Sequence, residues 1–258
     1  MSINESKPLM IERLVRLLAM SVSRSLPFRV VFKVWRELGL LDEFKDSVIY
    51  QNLIFSICDG IKPNNDVVKL DCRHPIHNFS AHVDNWRKNE CENESSEIDD
   101  ELAIRFDFKY EFSREMRLCK DFRRRVKELY RLEYVGSYES FGSGSEGKKL
   151  SWCGIKVLEM RAARIVHEFL SLTVGKMVEV DWISHFRKWF GIDLNIWDLF
   201  LDHLGIFYLS TKGNRHMIFL RETYERGCLI EPNPVYAMRR KLIHLVILGY
   251  RRTFWRRM

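Results

Sequence analysis

Apolar residues recur at helical spacing through Leu14, Leu17 and Leu18, and again through Ile165, Phe169 and Leu172. A second helix is expected over 27–38 and over 180–190. Pro27 suits a first helical turn, and Gly39 and Gly191 suit the stops. A third, short helix is expected over 42–50 and 195–204. Two short strands then follow; in the second half they fall at 206–210 and 216–221, with Lys212–Gly213–Asn214 as the turn. A shift of 152 residues lays one half on the other. It aligns Leu18 with Leu170, Val22 with Val174, Leu26 with Val178 and Val31 with Ile183. It continues through Leu38–Gly39–Leu40 onto Phe190–Gly191–Ile192 and through Ile54–Phe55 onto Ile206–Phe207. After a loop two residues longer in the first copy, Val68 and Leu70 align with Ile218 and Leu220. The expected fold is mainly α (α+β). Two winged-helix-like repeats, each of three helices plus a β-hairpin, would flank a central strand and basic helix.

The repeats are placed at 11–71 and 159–234. Between them, 72–101 reads as an irregular and then acidic connector, and 102–150 as a strand, a basic helix and a Gly/Ser loop. The strand is signalled by Ile104, Phe106, Phe108, Tyr110 and Phe112 alternating with polar residues. Residues 235–258 read as a basic C-terminal tail. At 258 residues and 46% hydrophobic, the chain can bury a core, which excludes a disordered tail or a disulfide mini-protein. No window approaches the ~18 apolar residues of a membrane span. The net charge is +7, and from Arg239 onward there are seven basic residues and no acid. Glu90 to Glu101 carries seven acids and no base. This distribution favours a polyanionic partner, nucleic acid or an anionic membrane surface. The six cysteines form no CxxC pair and read as reduced thiols. The N-terminus MSINESKPLM is too short and too acidic for a transit peptide, so either the protein is not imported or its natural start is missing.

No enzyme signature is present: no GxGxxG after a strand, no P-loop, no HExxH and no GxSxG. Cys72, His74 and His77, with His82 beyond, carry ligand atoms for zinc, but Pro75 and the irregular context favour a surface loop over a metal site. The basic positions say more. Arg29, Lys33 and Arg36 lie on the second helix of the first copy; His185, Arg187 and Lys188 lie on that of the second; Lys212 and Arg215 flank the hairpin turn. The helix from Arg114 carries Lys120, Arg123, Arg124, Arg125 and Lys127. Such cations neutralise phosphates without reading sequence. The third helix carries Asp198 and Asp202 in one copy and Asp42, Glu43 and Asp46 in the other, and these acids repel a duplex in the usual groove-insertion mode. Single-stranded or structured RNA fits better.

The chain resembles the plant organelle RNA recognition (PORR) domain family. The matching stretches are MSVSRSLPFRVVFKVWRELGLLDEFKDSVI from Met20, EMRAARIVHEFLSLTVGKMVEVDWISHFRKWFGI from Glu159 and GIFYLSTKGNRHMIFLRETYERGCLIEPNP from Gly205. LEYVGSYESF from Leu132 is similar to the family's Leu-Pro-Tyr…Pro-Tyr segment, with Glu133 and Ser137 where prolines are usual. Relative to the family the chain is expected to be N-terminally truncated. The resemblance implies a non-catalytic RNA-binding protein of a plant mitochondrion, or alternatively a chloroplast, that promotes group II intron splicing. Other splicing factors would be its further partners, with no cofactor, metal or small-molecule substrate. The rival readings are a protein–protein adaptor in a splicing complex and a membrane-surface protein anchored by its basic tail. The family offers no motif that transfers contact residues, so the cations named above rest on charge alone.

Overall fold

A computed structural model of the chain describes residues 3–40, 54–58, 66–71, 79–85, 120, 121, 124, 128, 132, 135–139 and 152–255. The third helix expected at 42–50, the strand at 104–112 and most of the basic helix fall outside these residues. The first half contains α1 (Ile3–Met20), β1 (Ser25–Pro27), α2 (Phe28–Lys33), β2 (Phe55–Cys58) and β3 (Val67–Leu70). The second contains α3 (Trp152–Leu172), β4 (Met177–Glu179), α4 (Val180–Phe186), α5 (Ile196–Asp202), β5 (Phe207–Ser210) and β6 (Met217–Leu220). A small ribbon of β7 (Tyr224–Glu225) and β8 (Cys228–Leu229) follows, and then α6 (Pro234–Trp255). The architecture is mixed helix and sheet, with small antiparallel sheets.

Each half holds a three-stranded sheet, ordered β1-β3-β2 and β4-β6-β5. Leu26 faces Val68 across the first and Val178 faces Ile218 across the second, and all four are buried. The leading strands β1 and β4 escape the expected hairpins. They are three residues long, each preceded by a residue in the left-handed region, Arg24 at φ 52° and Lys176 at φ 50°. Pro27, expected in a first helical turn, instead ends β1 and caps α2. α2 and α4 stop sooner than expected, at Lys33 and Phe186. The chain continues in tight turns that keep Val34, Trp35, Leu38 and Phe190 at core spacing. The expected C-terminal tail is α6, a helix of 22 residues.

The same alignment, a shift of 152 residues that becomes 150 after the longer loop of the first copy, relates the hydrogen bonds of the two halves. Ser21 Oγ donates to the Leu18 carbonyl at 2.7 Å, and Thr173 Oγ1 to the Leu170 carbonyl at 2.7 Å. Leu70 N donates to Arg24 O, and Leu220 N to Lys176 O. The halves also exchange bonds: Val22 N donates to Trp189 O at 2.9 Å, and Val174 N to Glu37 O at 2.7 Å. Residue for residue these are equivalents, so the contact is isologous, as across the two-fold of a dimer. Gly39 (φ 69°) and Gly191 (φ 62°) stand at these crossovers, where a left-handed turn brings backbone against the other half's valine. α1 packs on α3 and α2 on α4, so both halves share one core, which includes Leu14, Leu18, Val31, Phe169, Phe186 and Phe190. α3 is its centre, buried on every side from Glu159 to Leu172.

Candidate nucleic-acid interface

α2 and the turns after it bury Phe28, Val30, Val31, Val34, Trp35 and Leu38. That leaves Arg29, Phe32, Lys33 and Arg36 exposed, at the spacing of one helical face. Phe32 is 43% exposed, although its neighbours in the apolar run are buried. Its ring is held 5.4 Å from Phe28 and 5.0 Å from Trp35. Arg239 of α6 reaches across and donates to the Arg36 carbonyl at 2.6 Å, adding a fourth cation to the face. Three or four cations around an outward aromatic ring can follow a phosphate backbone while a base stacks on the ring. The equivalent positions in the second half are Asp181, Ser184, His185 and Lys188, all exposed. There the His185 ring sits 2.6 Å from the Asp181 carbonyl, and Ser184 stands where the first half has Phe32.

The other expected contacts are dispersed. Arg187 and Lys188 are exposed just after α4; Arg187 donates to the Leu194 carbonyl at 3.3 Å. Lys212 is exposed on the β5–β6 turn, and Arg215 beside it pairs with Glu179 at 3.0 Å. Lys120 and Arg124 are exposed and helical, but Arg124 stands 3.6 Å from Asp121 and 3.9 Å from Glu128, which offsets its charge. Arg123, Arg125 and Lys127 lie outside the described residues. Asp198 and Asp202 are exposed on α5, so that helix presents acid outward. Among the described residues, the cations named from the sequence that are gathered on one face are Arg29, Lys33 and Arg36. Phe32 was missed because it sits in an apolar run, and Arg239 because it was counted with a tail.

Beneath this surface α3 carries buried charge that sequence patterning did not flag. Glu168, with a fully buried side chain, accepts from Arg16 Nη1 at 3.2 Å, His82 N at 2.8 Å and the Tyr138 hydroxyl at 2.6 Å, and its Oε2 is 3.0 Å from His82 Nδ1. Burial alone would raise the Glu168 carboxyl; the His82 and Tyr138 hydrogen bonds outweigh it and hold the group at about 2. Burial and the adjoining Glu168 charge push the Tyr138 hydroxyl upward. Arg161 Nη2 donates to Glu139 O at 3.3 Å and Arg164 Nη1 to Val135 O at 3.1 Å. These bonds fasten residues 135–139 onto α3. Of the residues weighed as zinc ligands, His82 is engaged by Glu168, and Cys72, His74 and His77 lie outside the described residues.

α6 exposes Leu242, Ile243, Leu245, Val246, Ile247 and Leu248. Among the described residues no helix is long and apolar enough to cross a membrane.

The plant organelle RNA recognition domain profile matches residues 1–251. Over 94% of its length the chain is 33% identical to the Arabidopsis thaliana protein ROOT PRIMORDIUM DEFECTIVE 1, covering 58% of that protein. It is 29% identical to the Zea mays protein WHAT'S THIS FACTOR 1, chloroplastic, over 94% of this chain and 47% of that one. The Arabidopsis thaliana protein WHAT'S THIS FACTOR 9, mitochondrial, is 29% identical over 47% of this chain and 30% of its own. The chain thus spans about half the length of the curated relatives it matches. No solved structure matches it. The chain belongs to the plant organelle RNA recognition domain family.

Proposed function

We propose that this chain is a non-catalytic RNA-binding module of a plant organelle, and that it assists group II intron splicing by holding intron RNA in a reactive fold. The observation that carries the reading is the α2 face, where Arg29, Lys33 and Arg36 surround the exposed Phe32 beside Arg239. A single-strand site needs cations along the backbone and a ring under a base, and this face has both. Family membership supports an RNA partner and an organelle, and relatives named chloroplastic and mitochondrial leave both organelles open. In this reading each half is a winged-helix-like unit that turns its second helix, not its third, toward RNA. The acids Asp198 and Asp202 on α5 favour that choice.

The test is filter binding of single-stranded RNA across a salt series, on the full chain and on Arg29→Gln/Lys33→Gln/Arg36→Gln. The slope of log affinity against log salt should flatten by about 0.7 for each lost phosphate contact. An unchanged slope in a folded variant removes this face from the interface. Immunoprecipitation from isolated mitochondria and plastids, with sequencing of bound RNA, then asks whether introns are the RNA held. A second reading, a protein–protein adaptor, is favoured by the apolar residues that α6 exposes from Leu242 to Leu248.

A further inference from the structure

The two crossovers are alike in backbone and unlike in cover. At the first, Val22 is 65% exposed; at the second, Val174 is 1% exposed, because the segment leading from β8 into α6 lies over it. That segment forms one wall of an open cavity of about 500 Å³ bordered by Arg13, Val174, Lys176, Glu222, Glu231 and Asn233. The volume lies within the range of small-ligand pockets.

Two of the bordering residues are cations and two are acids, and it is the contacts of the cations that matter. Arg13 Nη1 donates to the Leu38 carbonyl at 2.7 Å, and Lys176 Nζ donates to the Ser171 carbonyl. Among the described residues neither cation forms an ion pair, and each keeps further N–H donors. Burial, and then the charge of Arg13, push the Lys176 amine below the usual lysine range, against the opposing pull of Glu168, Glu231 and Glu222. Of the bordering acids, Glu222 is engaged by His167 at 2.8 Å and Glu231 is exposed. The cavity also meets the N-terminus of α6, where Asn233 Oδ1 accepts from Val235 N at 2.9 Å. The positive end of a 22-residue helix adds a third attraction for an anion. A partly buried cation with no carboxylate in direct contact keeps N–H donors that an anion from outside can accept.

We propose that this cavity is a phosphate-ester pocket that takes the backbone phosphate of one nucleotide of a bound RNA, with the nucleoside in the remaining space. The proposal rests on the RNA-binding reading above but concerns a different surface from the α2 face. Arg24, the equivalent of Lys176, has the same left-handed backbone at the open crossover and so provides a matched control.

The experiment compares the full chain with Lys176→Asn and Arg24→Asn. Asparagine tolerates the left-handed region, so both variants should keep the fold, checked by circular dichroism. The probes are inorganic phosphate, 5′-AMP and a short oligouridylate. The readouts are amide NMR shifts at Gly175, Lys176 and Asn233, together with filter binding. The expected result is that AMP and oligouridylate both move these amides and compete for them. Lys176→Asn then loses the AMP shifts and weakens oligouridylate binding about tenfold, the size of one charged hydrogen bond, while Arg24→Asn does neither. If the amides stay still and Lys176→Asn binds oligouridylate like the wild type, the pocket is overturned. The RNA reading then stands as long as the Arg29/Lys33/Arg36 variant still loses affinity. If AMP fills the cavity and oligouridylate does not displace it, the RNA source is overturned in favour of a free nucleotide.

Discussion

The two halves share a backbone frame and differ on their surfaces. Ser21 and Thr173 make the same bond, Gly39 and Gly191 the same turn, and Val22 and Val174 the same crossing. Yet Arg29, Phe32, Lys33 and Arg36 in one half stand where the other has Asp181, Ser184, His185 and Lys188. What both halves keep is what each needs to pack on the other; these four differences face solvent. A joined pair also permits something a symmetric dimer does not. Arg16 and Glu168 are equivalents under the 152-residue shift, and they meet each other at 3.2 Å. A residue that touches its own equivalent lies on the pseudo-two-fold, where identical subunits would set like charge against like. Here the two positions have diverged into an attractive pair, and His82 and Tyr138 add hydrogen bonds to Glu168.

The sharpest break in the comparison is therefore at that axis. Glu168→Ala should destabilise the fold by about 3–5 kcal/mol, because it leaves His82 N and the Tyr138 hydroxyl without their acceptor, although Arg16 keeps Glu12 and the Ser80 carbonyl. Urea unfolding measures it, and a loss below about 1 kcal/mol would show the contact to be incidental. Exchanging the charges, Arg16→Glu with Glu168→Arg, should not restore stability, since an arginine at 168 cannot accept from His82 N or Tyr138. The same carboxyl sets an acid limb. Its folded value is about 2, against an ordinary 4.5, so its stabilisation is complete above the ordinary value and is lost as pH falls from there toward 2. In Glu168→Gln that part of the pH dependence of stability should disappear.

Next in size is the pair of crossover glycines. An added Cβ at Gly39 would lie 2.5 Å from Val174 Cγ2 and 3.0 Å from Arg13 Nη1; at Gly191 it would lie 3.0 Å from Val22 Cγ2. Both substitutions pay the left-handed penalty of about 1–2 kcal/mol. Val174 is buried and cannot yield, whereas Val22 is exposed and can. Gly39→Ala should thus cost about 2–4 kcal/mol and Gly191→Ala about 1–2 kcal/mol. Equal losses in thermal unfolding would mean that the two crossovers pack alike in solution, against the difference in cover.

The duplication was legible because buried positions keep their spacing. Leu18 and Leu170, Val31 and Ile183, Leu38 and Phe190 are core residues in both halves, and the shift that aligns them also aligns their hydrogen bonds. The leading strands were not legible: three residues beginning after Arg24 or Lys176 are too few to show alternation. The second helices were drawn too long because Val34, Trp35 and Leu38 keep helical spacing through turns. The buried charges of α3 were invisible for a different reason. Arg161, Arg164 and Glu168 look like solvated positions until residues 135–139 and 82 are folded onto them. Charge alone placed Arg29, Lys33 and Arg36 among the candidates, but it could not rank them above Lys212 or Arg124, whose surroundings differ only in three dimensions.

The smallest effect expected is the most specific to the difference between the halves. Phe32→Ser writes the second half's residue into the first half's face and removes the ring without touching a charge. Phe32 is 43% exposed, so its loss should cost the core little, and Phe28 and Trp35 remain buried beneath it. A base that stacks on Phe32 would lose about 1 kcal/mol, roughly a fivefold drop in affinity for single-stranded RNA. Because no phosphate contact is lost, the salt slope should not move, whereas Arg29→Asp, the matching exchange at the neighbouring position, should flatten it. The two changes therefore separate stacking from charge on one helical face, and filter binding at several salt concentrations reads both. If Phe32→Ser leaves affinity unchanged while Arg29→Asp lowers it, the face follows the backbone alone, and the ring is a partly exposed core residue with no base upon it.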